Sequence, residues 1–267
     1  MNLKNLNAVI LGSSSGFGRA SAMELARMGY NIYGIHLDTG ANKKEADRIV
    51  EELRCFGVRV RFFNQNAADE SKRREIINTI KDELAEDDNS KIRVLMHSLA
   101  FGTIGPLISA NREDEINKKR IEMTMNVMAN SLLYWAQDIF HNQLFAEDSR
   151  IIALTSSGSN RAMKGYGAVS VAKAALESFV RQLAVELAPF KITVNALMPG
   201  VTDTPAAQKL PDFPRMLKFC AEHHPYDRNT FPQDVAKAIA LIIDEKSYWI
   251  TGQTIGVDGG ESIYSSF

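Results

Sequence analysis

A short apolar strand that runs directly into a glycine-rich turn is the feature that most restricts the fold of this chain. Residues 7–12 read Asn-Ala-Val-Ile-Leu-Gly, a continuous apolar run typical of a buried parallel strand. Gly12, Gly16 and Gly18 follow in a Gly-x3-Gly-x-Gly pattern and open an amphipathic helix. Glycines at such a junction let backbone N–H groups approach an anion such as a pyrophosphate, which the helix dipole also attracts. The pattern predicts a strand-turn-helix unit that binds a dinucleotide.

A second helix carries a tyrosine and a lysine. It is predicted from Gly165, because small and apolar residues recur at three- and four-residue steps as far as Leu183. Tyr166 and Lys173 lie about two turns apart on one face of this helix, about 10 Å along its axis. The positive charge of Lys173 should favour phenolate and so lower the pKa of Tyr166 from its usual ~10. The pair predicts an acid catalyst; the alternative is a helix-start aromatic and a solvated charge.

The segments on either side of this helix complete a resemblance to a known family. Residues 154–157 read Leu-Thr-Ser-Ser and residues 194–200 read Val-Asn-Ala-Leu-Met-Pro-Gly. With them the chain resembles the short-chain dehydrogenase/reductase superfamily over nearly its whole length. Most members place three residues between tyrosine and lysine; here six separate Tyr166 from Lys173, and Val169 takes the usual tyrosine position. The longer spacing resembles the enoyl-acyl carrier protein reductases, which reduce the double bond of an enoyl thioester with NADH or NADPH.

The longer spacing also has a chemical rationale. Moving the phenol three positions along a helix shifts its oxygen by about one turn, ~4.5 Å, relative to Lys173. A keto reductase protonates the oxygen on the carbon that receives hydride. An enoyl reductase delivers hydride to the β carbon while negative charge develops on the thioester oxygen, so its proton donor must be displaced. The resemblance implies a single domain over residues 1–267, a doubly wound α/β (Rossmann) fold with about seven parallel strands.

Further segments separate the two branches of the family. Residues 97–101, His-Ser-Leu-Ala-Phe, resemble a segment of enoyl reductases where the commoner branch has Asn-Asn-Ala-Gly. His97 itself is expected to be a core histidine. Ser156 holds the family's catalytic serine position, seventeen residues before Lys173, where the best-known enoyl reductases carry a second tyrosine. This departure leaves a divergent keto reductase open. Asn126 matches the asparagine with which other members hold a water against the lysine.

The tip of the second predicted strand bears on the choice of nucleotide. An acid there bonds the ribose hydroxyls of NAD, whereas a basic residue favours the 2′-phosphate of NADP. His36 stands where NAD-dependent relatives carry aspartate, followed by Asp38, Lys43 and Lys44. The signal is split, and the resemblance to NADPH-using enoyl reductases favours NADPH. The resemblance implies these cofactor contacts: Gly12, Ser14, Ser15, Gly16, Phe17, Gly18, His36, Asp38, Asn66, Ala67, Ser98, Leu99, Ala100, Lys173, Pro199, Gly200, Val201 and Thr204. Among them, Asn66 and Ala67 would cover the adenine, and the Val201 backbone and the Thr204 hydroxyl would meet the nicotinamide carboxamide.

The segment 205–230 combines an apolar stripe with four prolines. This combination predicts a substrate lid; a packed helical excursion is the alternative.

A net charge of −1 gives no reason to expect a nucleic acid or an anionic membrane as partner. Cys55 and Cys220 fit no metal spacing, so free thiols and no metal are expected. A strand pattern from Asn7, with no signal peptide before it, predicts a cytoplasmic protein. The family resemblance implies a homotetramer or homodimer.

The sequence therefore predicts reduction of an enoyl thioester, bound to acyl carrier protein or coenzyme A, by NAD(P)H in fatty acid synthesis. Tyr166, Lys173, Ser156 and Asn126 are the catalytic candidates. Two alternatives stay open: an NAD(P)-dependent keto or hydroxy reductase, and a dinucleotide-binding protein without catalysis.

Overall fold

A single parallel sheet forms the centre of the molecule. The computed structural model describes residues 6–87 and 90–264. Its strands are β1 (Leu6–Leu11), β2 (Asn31–His36), β3 (Val60–Asn64), β4 (Lys91–His97), β5 (Phe145–Leu154), β6 (Thr193–Pro199) and β7 (Thr254–Val257). These seven described strands pair in the order β3-β2-β1-β4-β5-β6-β7, all parallel. The predicted doubly wound fold is confirmed.

Helices cover both faces of the sheet. They are α1 (Gly16–Arg27), α2 (Gly40–Arg54), α3 (Glu70–Ala85), α4 (Lys118–Met125), α5 (Ser131–His141), α6 (Gly167–Leu187), α7 (Phe213–Glu222) and α8 (Pro232–Ile242). Successive residues of β1 feed opposite cores, because strand side chains alternate between faces. Val9 packs with the buried faces of α3, α5 and α6, whereas Ile10 packs with those of α1, α2 and α8. None of the described helices is long and apolar enough to cross a bilayer.

Methionine and aromatic residues recur at helical spacing from Met123 to Phe140, which predicts one long helix from about residue 113 to 142. The structure divides this region. A short turn at Arg112–Asp114 precedes α4, and a π turn at Asn126–Asn130 joins α4 to α5. Hydroxyls flank the π turn and bond backbone carbonyls one turn back: Thr124 to Arg120 at 2.8 Å and Ser131 to Val127 at 2.7 Å. Such bonds compete with the regular helix ladder, and π turns often lie at functional sites. The irregularity places Asn126 at the start of the π turn.

The carboxyl ends of the parallel strands meet at one edge of the sheet. Strand order reverses between β1 and β4, where neighbouring connections lead to opposite faces. In open α/β sheets, ligands bind outside the carboxyl ends at this switch point. Nearly all the sequence-predicted site residues follow a strand end at this edge.

Candidate active site

The glycine turn fits a dinucleotide because it has no room for side chains. Gly12 has φ of +87°, and a Cβ added there would lie 2.6 Å from the Ser98 carbonyl oxygen. A Cβ on Gly18 would lie 1.9 Å from the Gly12 carbonyl oxygen. Ser15 precedes α1 in an extended conformation, and no acidic residue stands in the first turn of that helix. The backbone can therefore come close to an anion at the positive end of the helix.

Tyr166 caps α6 rather than lying within it, with φ of −95° and ψ of 3°. Its phenol is hydrogen-bonded with the side chain of Ser156. The Ser156 hydroxyl also accepts the Gly158 N–H at 3.2 Å, which fixes the turn that follows β5. The structure thus brings two of the predicted catalytic residues into direct contact.

The pKa of Tyr166 is raised, not lowered as predicted. Burial of the phenol raises it, and the hydrogen bond with Ser156 offsets only part of that effect. The lysine ammonium points to backbone oxygens: Lys173 Nζ donates to Leu154 O at 2.7 Å and to Leu99 O at 3.4 Å. The predicted lowering by Lys173 is wrong for this structure because desolvation decides the direction.

Lys173 is a buried ammonium, with 5% of its surface exposed, so the alternative of a solvated charge is excluded. Burial lowers its pKa to about 8, and the carboxylate of Glu177 acts in the opposite direction. Glu177 in turn accepts a hydrogen bond from the Thr155 hydroxyl at 2.5 Å. His97 is fully buried, as predicted, and its Nε2 lies 2.9 Å from Ser131 Oγ. Burial and the nearby Lys173 charge lower the pKa of His97 to about 3.

The predicted ribose contacts at the end of β2 bind each other. His36 Nδ1 lies 2.8 Å from Asp38 Oδ2, and His36 is only 7% exposed. Asn64 holds the backbone of Asp38 on both sides, accepting from its N–H and donating to its carbonyl, each at 2.9 Å. The carboxylate of Asp38 is more accessible than the imidazole, so Asp38 is the better placed of the two to meet a ribose.

The segment after β3 is used partly for packing. The Ala67 carbonyl accepts the Trp135 indole N–H at 2.8 Å, and Ala67 itself is buried. Asn66 is exposed, and its side-chain oxygen accepts the Ala68 N–H at 3.0 Å. The side-chain amide of Asn126 donates to the Ala68 carbonyl at 3.4 Å. This contact ties Asn126 to the loop beside the predicted adenine site, and its role in holding a water stays a prediction.

In the turn that ends β6, one backbone donor already has a partner within the protein. The backbone N–H of Val201, a residue whose backbone is expected at the nicotinamide carboxamide, donates to Glu261 Oε2 at 2.9 Å. Thr204 caps the following turn by accepting the Ala207 N–H at 3.2 Å. A Cβ on Gly16 would lie 3.2 Å from the Thr204 methyl carbon. The turn therefore packs against the glycine turn, but its Val201 N–H is already engaged.

One cavity of about 290 Å³ joins these elements. Eleven of the predicted site residues line it: Phe17, Ser98, Leu99, Ala100, Ser156, Tyr166, Lys173, Pro199, Gly200, Val201 and Thr204. The predicted lid contributes Ala206, Ala207, Lys209, Leu210, Phe213 and Met216. The remaining predictions lie outside the lining: Gly12, Ser14, Ser15, Gly16, Gly18, His36, Asp38, Asn66, Ala67 and Asn126. The described residues contain no cluster of three or more His, Cys, Asp or Glu side chains that could hold a metal.

Comparison with known proteins places the chain in a family. The family model described as "Enoyl-(Acyl carrier protein) reductase" matches residues 12–262. The chain belongs to this family of short-chain dehydrogenases/reductases.

Its relatives include enzymes of both branches. The enoyl-[acyl-carrier-protein] reductase [NADPH] FabI of Staphylococcus aureus is 29% identical, over 97% of this chain and 98% of that protein. The 3-oxoacyl-[acyl-carrier-protein] reductase FabG of Pseudomonas aeruginosa is 27% identical, over 97% of this chain and 98% of that protein. The solved enoyl-[acyl-carrier-protein] reductase (NADH) of Aquifex aeolicus superposes with a TM-score of 0.80 at 23% identity, covering 99% of each chain. The comparisons establish an oxidoreductase of this superfamily and leave enoyl and keto reduction equally supported.

Sequence reasoning missed two carboxylates of this site. Glu177 follows Lys173 by four residues on α6, a spacing that places both on one helix face and was visible in the sequence. Glu261 lies sixty residues after Val201, and no local pattern links them. Only the packing of the C-terminal segment against the end of β6 brings that pair together.

Proposed function

We propose that this protein reduces the carbon-carbon double bond of an enoyl thioester with NAD(P)H. The observation that carries the proposal is the position of Tyr166, whose phenol enters the cavity from the cap of α6, seven positions before Lys173. Val169, at the position of the tyrosine in most of the superfamily, is 4% exposed and lines the same cavity with an apolar side chain. The proton donor is therefore displaced toward an oxygen remote from the carbon that is reduced.

The chain's own residues fit a nicotinamide dinucleotide. The glycine turn and the start of α1 would hold the pyrophosphate, Asp38 would meet the adenosine ribose, and the Pro199–Thr204 turn would lie beside the nicotinamide. Lys173 would bond the nicotinamide ribose hydroxyls. The bound dinucleotide supplies a hydride. One relative has NADPH in its name and one solved structure has NADH in its title. We propose NADPH as the preferred nucleotide of this protein.

Tyr166 acts as the proton donor in this proposal. Its raised pKa keeps the phenol protonated near neutral pH, so the O–H can stabilise negative charge on the thioester oxygen and deliver a proton. Ser156 orients the phenol through their hydrogen bond. Lys173 adds positive charge to the same cavity, which favours the developing enolate. Asn126 completes the proposed group by holding a water near the lysine.

The acyl chain would occupy the apolar part of the cavity. Ile104, Met163 and Phe101 contribute apolar side chains to its lining, together with residues of 205–230. We propose that this segment is a lid, because excluding water strengthens the polar interactions with the thioester oxygen. The acyl carrier is an acyl carrier protein or coenzyme A, and the pathway is fatty acid synthesis in the cytoplasm.

A keto reductase is the second candidate, favoured by the contact between Ser156 and Tyr166. Two hydroxyls joined at one end of a cavity can polarise a ketone carbonyl directly. The FabG relative is named as a 3-oxoacyl-[acyl-carrier-protein] reductase, which is a keto reductase. A protein that binds the dinucleotide without turnover is the third alternative.

We propose self-association through the exposed apolar residues of α8 and the loop before β7. Leu241, Tyr248 and Trp249 are 72%, 62% and 86% exposed. The rings of Tyr248 and Trp249 are in contact, with centroids 5.8 Å apart, and exposed apolar groups that lie together are typical of interaction surfaces. A homotetramer or homodimer would cover them.

The proposal is tested by following NADPH and NADH oxidation with crotonyl and longer enoyl thioesters, beside acetoacetyl thioester at matched concentration. Oxidation with the enoyl substrates supports it, and oxidation with acetoacetyl thioester alone supports the keto reductase. Tight nucleotide binding with no oxidation of either substrate supports the non-catalytic alternative.

A further inference from the structure

A carboxylate stands next to the buried lysine on its own helix. Glu177 follows Lys173 by four residues, so the two side chains share one face of α6. Lys173 is almost fully buried, while Glu177 is half-buried. A buried ammonium loses its hydration and is stable in its charged form only with compensating partners.

The carboxylate of Glu177 is held by the residue that follows β5, and the lysine is held by the last residue of that strand. Thr155 Oγ1 donates to Glu177 Oε1 at 2.5 Å, and the preceding residue, Leu154, accepts the Lys173 ammonium through its carbonyl at 2.7 Å. Two consecutive residues at the end of β5 thus anchor the two side chains. The arrangement fixes the carboxylate near the ammonium, although the two groups do not form a direct ion pair.

We propose that Glu177 is a positioning residue for Lys173: anchored by Thr155, its carboxylate keeps the ammonium charged beside the nicotinamide ribose. This inference rests on the proposed function, in which Lys173 bonds the ribose hydroxyls. It assigns to Glu177 an electrostatic role that acts only through Lys173.

The other groups around Lys173 do not replace this role. The titratable groups around the lysine, among the described residues, are His97 of β4, Tyr166 at the cap of α6 and Glu177 of α6. The cation Lys209 lines the same cavity from the 205–230 segment. His97 is neutral near pH 7, because its pKa is lowered to about 3, and Tyr166 is a protonated phenol there because its pKa is raised. Glu177 therefore supplies the carboxylate among them. Burial pulls the pKa of Lys173 down to about 8, so loss of that carboxylate would discharge the lysine close to physiological pH.

The first test measures the titration of Lys173 directly. Lysine side chains are labelled with ¹³C and ¹⁵N, and the Lys173 resonance is identified by its loss in Lys173→Arg. In Glu177→Gln, which keeps an oxygen to accept from Thr155, we expect the midpoint to fall by about one pH unit. Thr155→Val, which releases the carboxylate, should give a smaller fall. Glu186→Gln removes a charge from an exposed position on the same helix and should leave the midpoint unchanged.

The second test measures nucleotide binding without turnover. The dissociation constant of NADPH is followed against pH by fluorescence in the same variants. We expect Glu177→Gln to weaken binding several-fold at pH 8 but little at pH 6, where Lys173 stays charged in either protein. A purely structural role would weaken binding equally at both pH values.

An unchanged Lys173 midpoint in Glu177→Gln would overturn the inference. If the chain fails to reduce enoyl thioesters, the proposed function falls, but the titration and the binding curve still report on Glu177. If enoyl reduction is intact and the midpoint does not move, the inference about Glu177 falls alone.

Discussion

The backbone N–H of Val201 donates to the carboxylate of Glu261 at 2.9 Å, linking the turn after β6 to the C-terminal segment. Glu261 is buried enough that its pKa is raised, with Asp258 adding to the effect and His224 and Arg161 opposing it. The same segment is tied to the loop after β5, because the Arg161 guanidinium donates to the Ser262 carbonyl at 2.8 Å. The C-terminal segment therefore fixes the turn beside the proposed nicotinamide site.

This contact predicts a split between two variants of Glu261. In Glu261→Ala the Val201 N–H loses its acceptor, at a cost of about 1–3 kcal/mol, so the turn should loosen and the KM for NADPH should rise by about fivefold or more. Glu261→Gln retains an acceptor oxygen and should stay within about twofold of the native KM. Steady-state kinetics with NADPH varied would measure both. Tighter nucleotide binding in Glu261→Ala would contradict this account. It would indicate that the Val201 N–H, once released from Glu261, binds the nicotinamide carboxamide.

Removing the phenol of Tyr166 should abolish proton donation and leave the nucleotide site intact. We expect Tyr166→Phe to lower kcat by about 100-fold or more, since general acid catalysis contributes about that much. The dissociation constant of NADPH should change by less than about twofold, because the ring still packs. Tyr226→Phe, at a position 71% exposed, is the matched control and should keep native kcat. Full activity of Tyr166→Phe would remove Tyr166 from the mechanism.

Asp38 should discriminate against the 2′-phosphate of NADPH. Its carboxylate contacts the His36 imidazole just after β2, where a ribose would lie. We expect Asp38→Asn to raise the ratio of kcat/KM for NADPH over NADH by about tenfold, or about 1.4 kcal/mol, whichever nucleotide the native protein prefers. Asp82→Asn, which removes an exposed acid from α3, serves as a charge-matched control. An unchanged ratio would mean that Asp38 does not face the ribose.

Because Lys173 is buried, replacing it with an uncharged residue should increase the free energy of unfolding by an amount that depends on pH. The pKa of Lys173 falls from 10.5 to about 8 on folding, so the folded state binds the proton less tightly than the unfolded state. Below pH 8 the charged lysine destabilises the fold by up to about 3 kcal/mol, and this penalty disappears as pH rises from 8 towards 10.5. Lys173→Met should therefore be more stable than the native protein at pH 7, with the difference shrinking by pH 10.

Urea denaturation of the nucleotide-free protein at both pH values would measure this difference. The lost hydrogen bond to the Leu154 carbonyl reduces the gain by an amount that does not vary with pH. If the stability difference between the two proteins is the same at pH 7 and pH 10, folding does not lower the pKa of Lys173.

Much of the fold could be predicted because local patterns report it directly. The apolar run of β1 and the glycines after it indicate a buried strand and a close backbone approach, and the structure has both at Gly12. The π turn at Asn126–Asn130 could not be predicted, because its side-chain hydrogen bonds arise within an otherwise helical pattern. The boundaries of α4 and α5 were therefore missed while their apolar face was found.

The site was predicted in its residues but not in its electrostatics. Spacing alone places Tyr166 near Lys173, yet the direction of the Tyr166 pKa shift depends on burial that only the assembled fold determines. The contact between Val201 and Glu261 joins residues sixty positions apart and likewise depends on tertiary packing. Glu177 is the exception, since its spacing from Lys173 was available in the sequence.

The most direct test of the central claim is to locate the transferred hydride. The protein is incubated with crotonyl thioester and NADPH deuterated at the transferable position, and the product is analysed by mass spectrometry and NMR. We predict a saturated butyryl thioester with one deuterium at its β carbon. A parallel reaction with acetoacetyl thioester that yields deuterated 3-hydroxybutyryl thioester, with no saturated product from crotonyl thioester, would contradict enoyl reduction and establish a keto reductase.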